Sequence, residues 1–535
     1  MAKNILFIMC DQLRQDYLGC YGHPHLKTPH IDALAARGVR FENAYVQSPI
    51  CGPSRMSYYT GRYVRSHGST WNGTPLRVGE PTLGDHLKEI GVRNVLLGKT
   101  HMRADLAGLK KLGVDLNSAA GQFSAQCGFE IFERDDGLHP DNSQGPSPLY
   151  NQYLNDHGFS GKNPWQSWAN SAVNEQGEIL SGWLMENANQ PARIPEYYSE
   201  TPYLTRRAMQ FIDQTDQPWC LHLSYIKPHW PYMAPAPYHN MYTKEHMLAV
   251  NRSDQERDSA HPLHQAYMQH FVAKTFSRDK VRETVIPTYM GLIKQIDDQL
   301  GLLFEHLERS GKAAETMIVF TSDHGDYLGD HWLGEKELFH DASVKVPLII
   351  YNPDPSADIS RGHVCSELVE AIDLAPTFIE YLGAEPKYNI LEGVSLLSLI
   401  AGDKQKIREY LFSEYDYSMR QASTDLNVEV SDARTIMVRD QQFKLTYVQG
   451  MRPILFDLLN DPQEQDDLAT DPKYAAHRAR LLDAITQWAL QHHSRITISD
   501  QQINANRGQE VAAGILIGYW DQADLDAAIL KKSDL

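Results

Sequence analysis

The segment Cys51-Gly52-Pro53-Ser54-Arg55-Met56-Ser57, followed by Thr60-Gly61-Arg62, pairs a thiol with the start of a helix-compatible run. Proline is tolerated at the first helical positions, where its missing N–H costs nothing, so the Cys51 side chain is expected at a helix N-terminus. Free N–H groups and the helix dipole favour negative charge there, either an oxyanion or a bound sulfate or phosphate group. Arg55, one turn on, can fold back over the same point. Four apolar runs elsewhere stop abruptly in polar residues. Ile5 to Cys10 releases Asp11-Gln12, Asn94 to Leu97 releases Lys99 and His101, Trp219 to Ile226 releases Lys227 and His229, and Met317 to Phe320 releases Asp323-His324. Singly, each reads as an ordinary cap or turn. Together they occupy one kind of place, the carboxyl end of a strand, where open α/β sheets bind ligands.

Asp11, Gln12, Asp323 and His324 offer mostly oxygen with one nitrogen, a donor set for a divalent cation. Zinc accepts such donors, but calcium, manganese or magnesium suits the oxygen majority better, with calcium or manganese expected first. Arg55, Lys99, Lys227 and Lys336 supply positive charge around it, and His101 and His229 are imidazoles able to exchange protons near neutral pH. A cation and ammonium groups facing a nucleophile at a helix N-terminus suit displacement at sulfur or phosphorus, where charge spreads over oxygens in the transition state.

Such residues need a sheet to hold them. Helices are expected over Ile31 to Gly38, Thr82 to Ile90, Tyr203 to Ile212 and Tyr289 to about Leu307. The last carries Leu292, Ile296, Leu300, Leu303 and Leu307 at three- and four-residue steps, the pattern of a core-facing helix. Strand and helix alternate, which predicts a large mostly parallel or mixed α/β sheet flanked by helices, as one domain over residues 1–405. From about Asp105 to Pro195, and again up to Val285, the pattern weakens and reads as excursions over the rim of the site. Past Gly393 the segments shorten (Tyr410 to Glu414, Ala433 to Val438, Phe443 to Val448, Leu455 to Leu458) before a helix near Tyr474 to His492. A smaller C-terminal α+β domain with an antiparallel sheet and a helix is therefore expected over residues 406–492. Residues 493–535, with Ile515-Leu516-Ile517, read as a tail that offers an oligomer contact.

A chain of 535 residues has room for such a pair of domains. Its net charge of -18 opposes binding to nucleic-acid phosphates. It does not oppose a small anionic ester, which meets only the local cluster of cations. The six cysteines, Cys10, Cys20, Cys51, Cys127, Cys220 and Cys365, include no CxxC pair, and a reducing compartment is the simpler reading. The N-terminal apolar run stops at Asp11 without a small-residue cleavage site, and no apolar segment is long enough to span a bilayer. A cytoplasmic protein without membrane or nucleic-acid partners is expected.

Cys51-Gly52-Pro53-Ser54-Arg55 resembles the Cys-x-Pro-Ser-Arg signature of type I sulfatases in the alkaline phosphatase superfamily, whose cysteine is oxidised to formylglycine. Asp11-Gln12, Gly98-Lys99-Thr100-His101, Lys227-Pro228-His229 and Asp323-His324-Gly325 fall where that family carries its metal and sulfate-binding residues. Leu455-Phe456-Asp457-Leu458 with Asn460-Asp461-Pro462 resembles its closing hairpin, so the likeness covers nearly the whole chain. Within the family, Lys227 to Pro231, Ala236-Pro237-Tyr238 and Ser413 to Tyr417 are most similar to bacterial arylsulfatases and phosphonate monoester hydrolases. Gln12 with His324 is the phosphonate hydrolase-like pairing, where many sulfatases carry Asp and Asn. Lys99 and His101 are the sulfatase-like choice, where phosphonate hydrolases carry Tyr and Thr.

The resemblance implies a divalent cation on Asp11, Gln12, residue 51, Asp323 and His324, and a hydrated formylglycine at position 51 as nucleophile. Lys99, Arg55 and Lys336 would hold the oxygens, Asn72 and Lys227 would touch the substrate, and His229 would protonate the leaving alcohol. His101, as base, would release the transferred group by C–O cleavage, which would also tolerate phosphonate monoesters and phosphodiesters. Sulfate monoester hydrolysis is therefore expected first, with phosphonate monoester or phosphodiester hydrolysis as the alternative native task. A silent anion-binding scaffold, or a thiolate transferase, would follow if Cys51 stayed unmodified. A maturation enzyme that makes formylglycine and a homo-oligomer, dimer or tetramer, complete the expected partners.

Overall fold

In the computed structural model, which describes residues 3–142, 147–403, 406–491, 493–507 and 513–533, every residue of the first strand, β1 (Asn4–Asp11), is buried. Alternate side chains of a strand enter opposite faces, so β1 feeds two cores. Ile5, Phe7 and Met9 pack with Met56, Tyr58, Leu87 and Phe378 on one side. Leu6, Ile8 and Cys10 pack with Ile31, Leu34, Leu204, Ile293 and Leu300 on the other. Truncating a core ring such as Phe7 to alanine would cost about 3–5 kcal/mol.

In chain order there follow helix α1 (Pro29–Arg37), β2 (Val39–Tyr45), helix α2 (Cys51–Thr60), β3 (Arg93–Gly98), β4 (Glu130–Arg134), β5 (Ser171–Val173) and β6 (Ile179–Ser181). After them come β7 (Trp219–Pro228), β8 (Thr316–Ser322), β9 (Leu348–Tyr351) and β10 (His363–Glu370). Eight strands form one sheet in the order β10-β2-β9-β8-β1-β7-β3-β4, parallel throughout except that β9 runs against both neighbours. The helices Glu200–Gln214 and Asp279–Arg309 cover one face with α1, and α2, Leu83–Glu89 and Leu374–Tyr381 cover the other. β11 (Leu411–Asp416), β12 (Arg434–Arg439), β13 (Phe443–Val448) and β14 (Ile454–Asp457) form an antiparallel sheet in chain order. Phe412, Val438, Leu445 and Leu455 from that sheet pack on Leu481, Ile485 and Trp488 of the helix Ala475–Leu490.

The mixed α/β sheet and the antiparallel C-terminal sheet match the expected fold class, but two stretches expected to be irregular hold regular structure. β4 lies within the first of them and adds a parallel edge to β3; its residues are half exposed and polar, so no apolar run announces it. The long helix starts at Asp279, before Tyr289, and continues through Pro287. Proline there forfeits one N–H bond, while Val285, Ile286 and Tyr289 around it stay fully buried and hold the helix together.

The chain divides into two compact units, Met1–Pro386 with Leu391–Gln491, and Lys387–Ile390 with His492–Leu535. Both sheets belong to the first. The second carries the helices Asp500–Asn506 and Gln522–Ser533, and Ile517 and Trp520 within it are exposed. His492, and residues 508–512 and 534–535 of the expected tail, lie outside the described residues. Among the described residues no helix is long and apolar enough to cross a membrane.

Candidate active site

β8, β1, β7 and β3 are neighbours at the centre of the large sheet, so their polar carboxyl ends converge on one rim. At the end of β1 the register against β7 shifts between Cys10 and Asp11, and Gln12 takes a left-handed φ of 65°. That backbone is clamped on both sides: Gln12 N–H donates to Asp323 Oδ1 at 3.1 Å, and its carbonyl accepts from the Tyr289 hydroxyl at 2.8 Å. At the end of β3, Gly98 has φ 107° and comes so close to β7 that a Cβ there would lie 2.1 Å from the Ser224 carbonyl oxygen. Only glycine fits. His101, at φ 56°, is pinned with Thr100 by Asp136, whose Oδ1 accepts both N–H groups at 2.9 and 2.8 Å.

Cys51 is the first residue of α2 and is wholly buried. The neighbouring Gly52 N–H donates to Asn72 Oδ1 at 2.7 Å, which sets Asn72 at the same helix end. Around the Cys51 sulfur stand Lys336 Nζ at 3.1 Å, His324 Nε2 at 3.1 Å and Asp11 Oδ1 at 3.8 Å. Lys99 Nζ lies 2.6 Å from Asp11 Oδ2. Arg55 has no exposed surface. Its Nε donates to Asp323 at 2.8 Å, Nη2 to Asp11 at 3.1 Å, and Nη1 to the Lys99 carbonyl and the Ser224 hydroxyl. The guanidinium thus ties together the two carboxylates, where the sequence alone pointed it at a substrate oxygen.

Asp11, Cys51, Asp323 and His324 each present an atom within 4.8 Å of the others. His324 Nε2 lies 3.8 Å from Asp11 Oδ1 and 3.7 Å from Asp323 Oδ1. Those separations are too long for hydrogen bonds. They match ligands disposed around a common centre, since two oxygens about 2.4 Å from one ion stand about 3.4 Å apart at right angles. His324 Nδ1–H donates to the Gly325 carbonyl at 2.8 Å, which turns the other ring nitrogen toward the cluster. Gln12 Oε1 accepts from Lys336 at 3.3 Å and completes the oxygen set. The residues present fit a divalent cation.

Charge is balanced within this small volume. Burial alone would push the Cys51 thiol up, yet Lys336, His324 and Lys99, helped by a hydrogen bond from His101, hold it well below its usual range. Burial and the Cys51 thiolate oppose ionisation of Asp11, but Lys99, His229 and Arg55 prevail and keep it a carboxylate. His229 is pushed down to about 4 by burial and then by Lys99. Its Nδ1 donates to the Trp230 carbonyl at 2.6 Å, so Nε2 is the nitrogen turned to the site, 3.5 Å from Lys336 Nζ and 4.0 Å from Asp11 Oδ1.

Of the residues singled out by sequence, Asp11, Gln12, Cys51, Arg55, Lys99, His229, Asp323, His324 and Lys336 are linked by direct contacts. Asn72 and His101 border them, and His101 Nδ1 is buried without a hydrogen-bond partner among the described residues. Lys227 is drawn aside, with its ammonium on the Pro231 carbonyl at 2.9 Å and 3.8 Å from Glu200. Sequence reading did not find Ser224, Asp136, Tyr289 or Asp326, which hold the site residues from outside. Only Asp326 had a local signal, since it shares the loop of Asp323 and His324.

The Sulfatase family model matches residues 3–384, and a model described as N-sulphoglucosamine sulphohydrolase, C-terminal, matches residues 329–491. The chain is 31% identical to the multifunctional alkaline phosphatase superfamily protein PehA of Trinickia caryophylli, over 92% of this chain and 96% of that one. It is 26% identical to an arylsulfatase of Clostridium perfringens, over 89% and 92% of the two chains. Among solved structures it is similar to the phosphonate monoester hydrolase of Silicibacter pomeroyi, with a TM-score of 0.80, 28% identity and coverage of 94% and 98%.

Proposed function

This chain belongs to the sulfatase family of the alkaline phosphatase superfamily, as a hydrolase of sulfate or phosphonate esters, and we propose that its native reaction is hydrolysis of sulfate monoesters, aryl sulfates among them. The supporting observation is the nest of cations around a wholly buried residue 51, with Lys336 Nζ 3.1 Å from its sulfur and Lys99 Nζ 2.6 Å from the neighbouring Asp11 carboxylate. A sulfate group presents three non-bridging oxygens to such a nest. A phosphonate monoester presents two and a carbon substituent, which would leave an ammonium facing carbon. Residue 51 as formylglycine supplies an oxygen nucleophile in place of the thiol, and a divalent cation on Asp11, Gln12, Asp323 and His324 supplies Lewis acidity beside it.

The remaining roles belong to the chain's own groups. Arg55 fixes the Asp11 and Asp323 carboxylates and offsets their mutual repulsion. Lys99 and Lys336 hold the oxygens of the transferred group, and Asn72, whose Oδ1 accepts from the Gly52 N–H on the first turn of α2, borders them. With Nδ1–H anchored on Trp230 and the ring neutral at rest, His229 takes up a second proton at Nε2 when the anionic ester enters beside it, and Nε2 then delivers that proton to the departing oxygen. His101, whose Nδ1 has no hydrogen-bond partner among the described residues, takes the proton from residue 51 that frees the transferred group. Lys227 acts at one remove, bracing the His229 loop through Pro231. The same reading includes a maturation enzyme for residue 51, a cytoplasmic homo-oligomer, and side activity on phosphonate monoesters and phosphodiesters.

A second reading takes phosphonate monoester or phosphodiester hydrolysis as native, and it is favoured by Gln12 with His324 and by the likeness in fold to a phosphonate monoester hydrolase. The deciding experiment compares kcat/KM on an aryl sulfate and an aryl phosphonate, with protein whose residue 51 mass is verified. A phosphonate rate higher by orders of magnitude overturns the sulfate assignment. A thiol mass at residue 51 in protein from its natural host removes the nucleophile altogether.

A further inference from the structure

A carboxylate offers an acceptor whichever way it turns, but the amide of Gln12 ends in one oxygen and one NH2, and only the oxygen can serve a cation. With the Gln12 backbone clamped by Asp323 and Tyr289, rotation of the terminal amide decides which end faces the cluster. Asp326, wholly buried, accepts a hydrogen bond from Gln12 Nε2 on Oδ2. On the other end of the amide, Lys336 Nζ donates to Oε1 at 3.3 Å. An acceptor against the nitrogen and a donor against the oxygen agree on one orientation. Asp326 is itself held, since the Tyr232 hydroxyl donates to Oδ2 at 3.0 Å and Leu328 N–H donates to Oδ1 at 2.9 Å. With the amide reversed, two buried oxygens would face each other without a proton between them, and the Lys336 ammonium would face an NH2 group.

We propose that Asp326 is a positioning residue for the cation site: its carboxylate captures the Gln12 NH2 and so keeps the amide oxygen turned toward Asp11, Asp323 and His324. This rests on the reading of those residues as cation ligands. Asparagine in place of this aspartate would present either an oxygen or an NH2 to Gln12, and the choice would rest on the longer Lys336 contact alone.

The test is calorimetric titration of EDTA-stripped protein with manganese, with thermal melting of the stripped forms alongside. Asp326→Asn is expected to weaken manganese binding by about 10- to 100-fold, the range for partners that orient a ligand, with the melting temperature of the stripped protein little moved. The double variant Gln12→Glu with Asp326→Asn is expected to recover most of that loss. The substituted glutamate has an oxygen for the cation in either orientation, and the NH2 of the substituted asparagine can donate to its other oxygen. A merely structural Asp326 would lower melting of the stripped form and would not be rescued in this way. Unchanged manganese affinity in Asp326→Asn, or a double variant no tighter than the single one, overturns the proposal. Should Asp326→Asn fail to fold, Tyr232→Phe, which removes one anchor of the carboxylate, is expected to weaken binding by about threefold or more, and unchanged affinity there overturns it instead. If the parent protein itself binds no manganese, the cation reading fails and takes this inference with it. Binding by the parent with equal binding by Asp326→Asn removes this inference alone.

Discussion

Two buried clusters in this chain hold nearly the same residue types and differ in where their polar atoms point. Around Cys51, Asp11 and Asp323 stand with His324; elsewhere Glu256, His331 and His340 also bring three donor atoms within 4.8 Å of one another. In the second cluster the donors meet each other. Glu256 Oε1 lies 2.5 Å from His331 Nδ1, Asn251 covers His331 Nε2 at 3.2 Å, and Tyr327 takes His340 Nδ1 at 2.9 Å. The His331 and His340 rings stack 3.9 Å apart and 17° from parallel. Ligand lone pairs lie in the ring plane, so two stacked imidazoles cannot aim at one ion. In the first cluster the carboxylates are oriented from behind by Arg55 and Lys99, and their other oxygens, Asp11 Oδ1 and Asp323 Oδ1, stand 3.8 and 3.7 Å from His324 Nε2, farther than a hydrogen bond to it spans. Residue types mark both places, and only the direction of the donors separates the candidate site from a packed interior.

The largest expected effect is on turnover. Cys51→Ala should lower kcat on an aryl sulfate by about 10⁴-fold or more, while His340→Gln should leave it within about threefold. Comparable losses in steady-state assays would break the distinction. Next comes stability. Arg55→Ala leaves two buried carboxylates short of a partner and should cost about 3–5 kcal/mol in urea unfolding. Glu256→Gln keeps a hydrogen bond to His331 and should cost about 1–3 kcal/mol. A smaller Arg55 effect would mean that the carboxylates at the site do not depend on it. Third is cation binding, where Asp323→Asn should weaken manganese by about 100-fold or more in calorimetric titration, and Glu256→Gln should not change it. Manganese lost from the Glu256 variant would show the second cluster to be a ligand set after all.

The candidate cluster was largely legible in the sequence because its parts are local. Each strand announces itself by an apolar run, and the polar pair at its end begins within the next three residues. Cys51 is legible because Gly52 and Pro53 follow it. What joins the parts is not local. Gln12 and Asp326, or Arg55 and Ser224, meet only when β1, β7 and β8 lie side by side, so no spacing reveals them. Arg55 is the instructive case, since an arginine one turn past a helix-end nucleophile is equally suited to a substrate oxygen or to two carboxylates, and the neighbours decide. The same limit hid β4, a polar edge strand, and the first turns of the helix Asp279–Arg309, where Pro287 reads as a stop. The four strands of the antiparallel sheet were legible as short segments separated by turn residues, and one face of each packs on the helix Ala475–Leu490.

The smallest effect is a slope with pH, and it tests the second cluster from its own side. His340 is enclosed by the rings of His331 at 3.9 Å and His264 at 5.3 Å, the Tyr327 hydroxyl, Phe456 and the Lys444 ammonium. Burial first, then His331, His264 and Lys444, hold its imidazole well below the usual range, and burial brings His264 down to about 4. Both are neutral in the folded protein at pH 7, while in the unfolded chain they take up protons near pH 6.5. On acidification the unfolded state therefore binds protons first. The stability that depends on neutral imidazoles is complete above about pH 6.5 and is lost as pH falls toward the folded values, at about 1.4 kcal/mol per pH unit for each group. His340→Gln removes one such group, so urea unfolding between pH 6 and pH 4.5 should show a slope shallower by about that amount, whatever the variant costs at pH 7. An unchanged slope would mean that His340 carries its proton inside the fold. The cluster would then be held by charge, as the Cys51 site is, and the contrast between directed and paired donors would have to be redrawn.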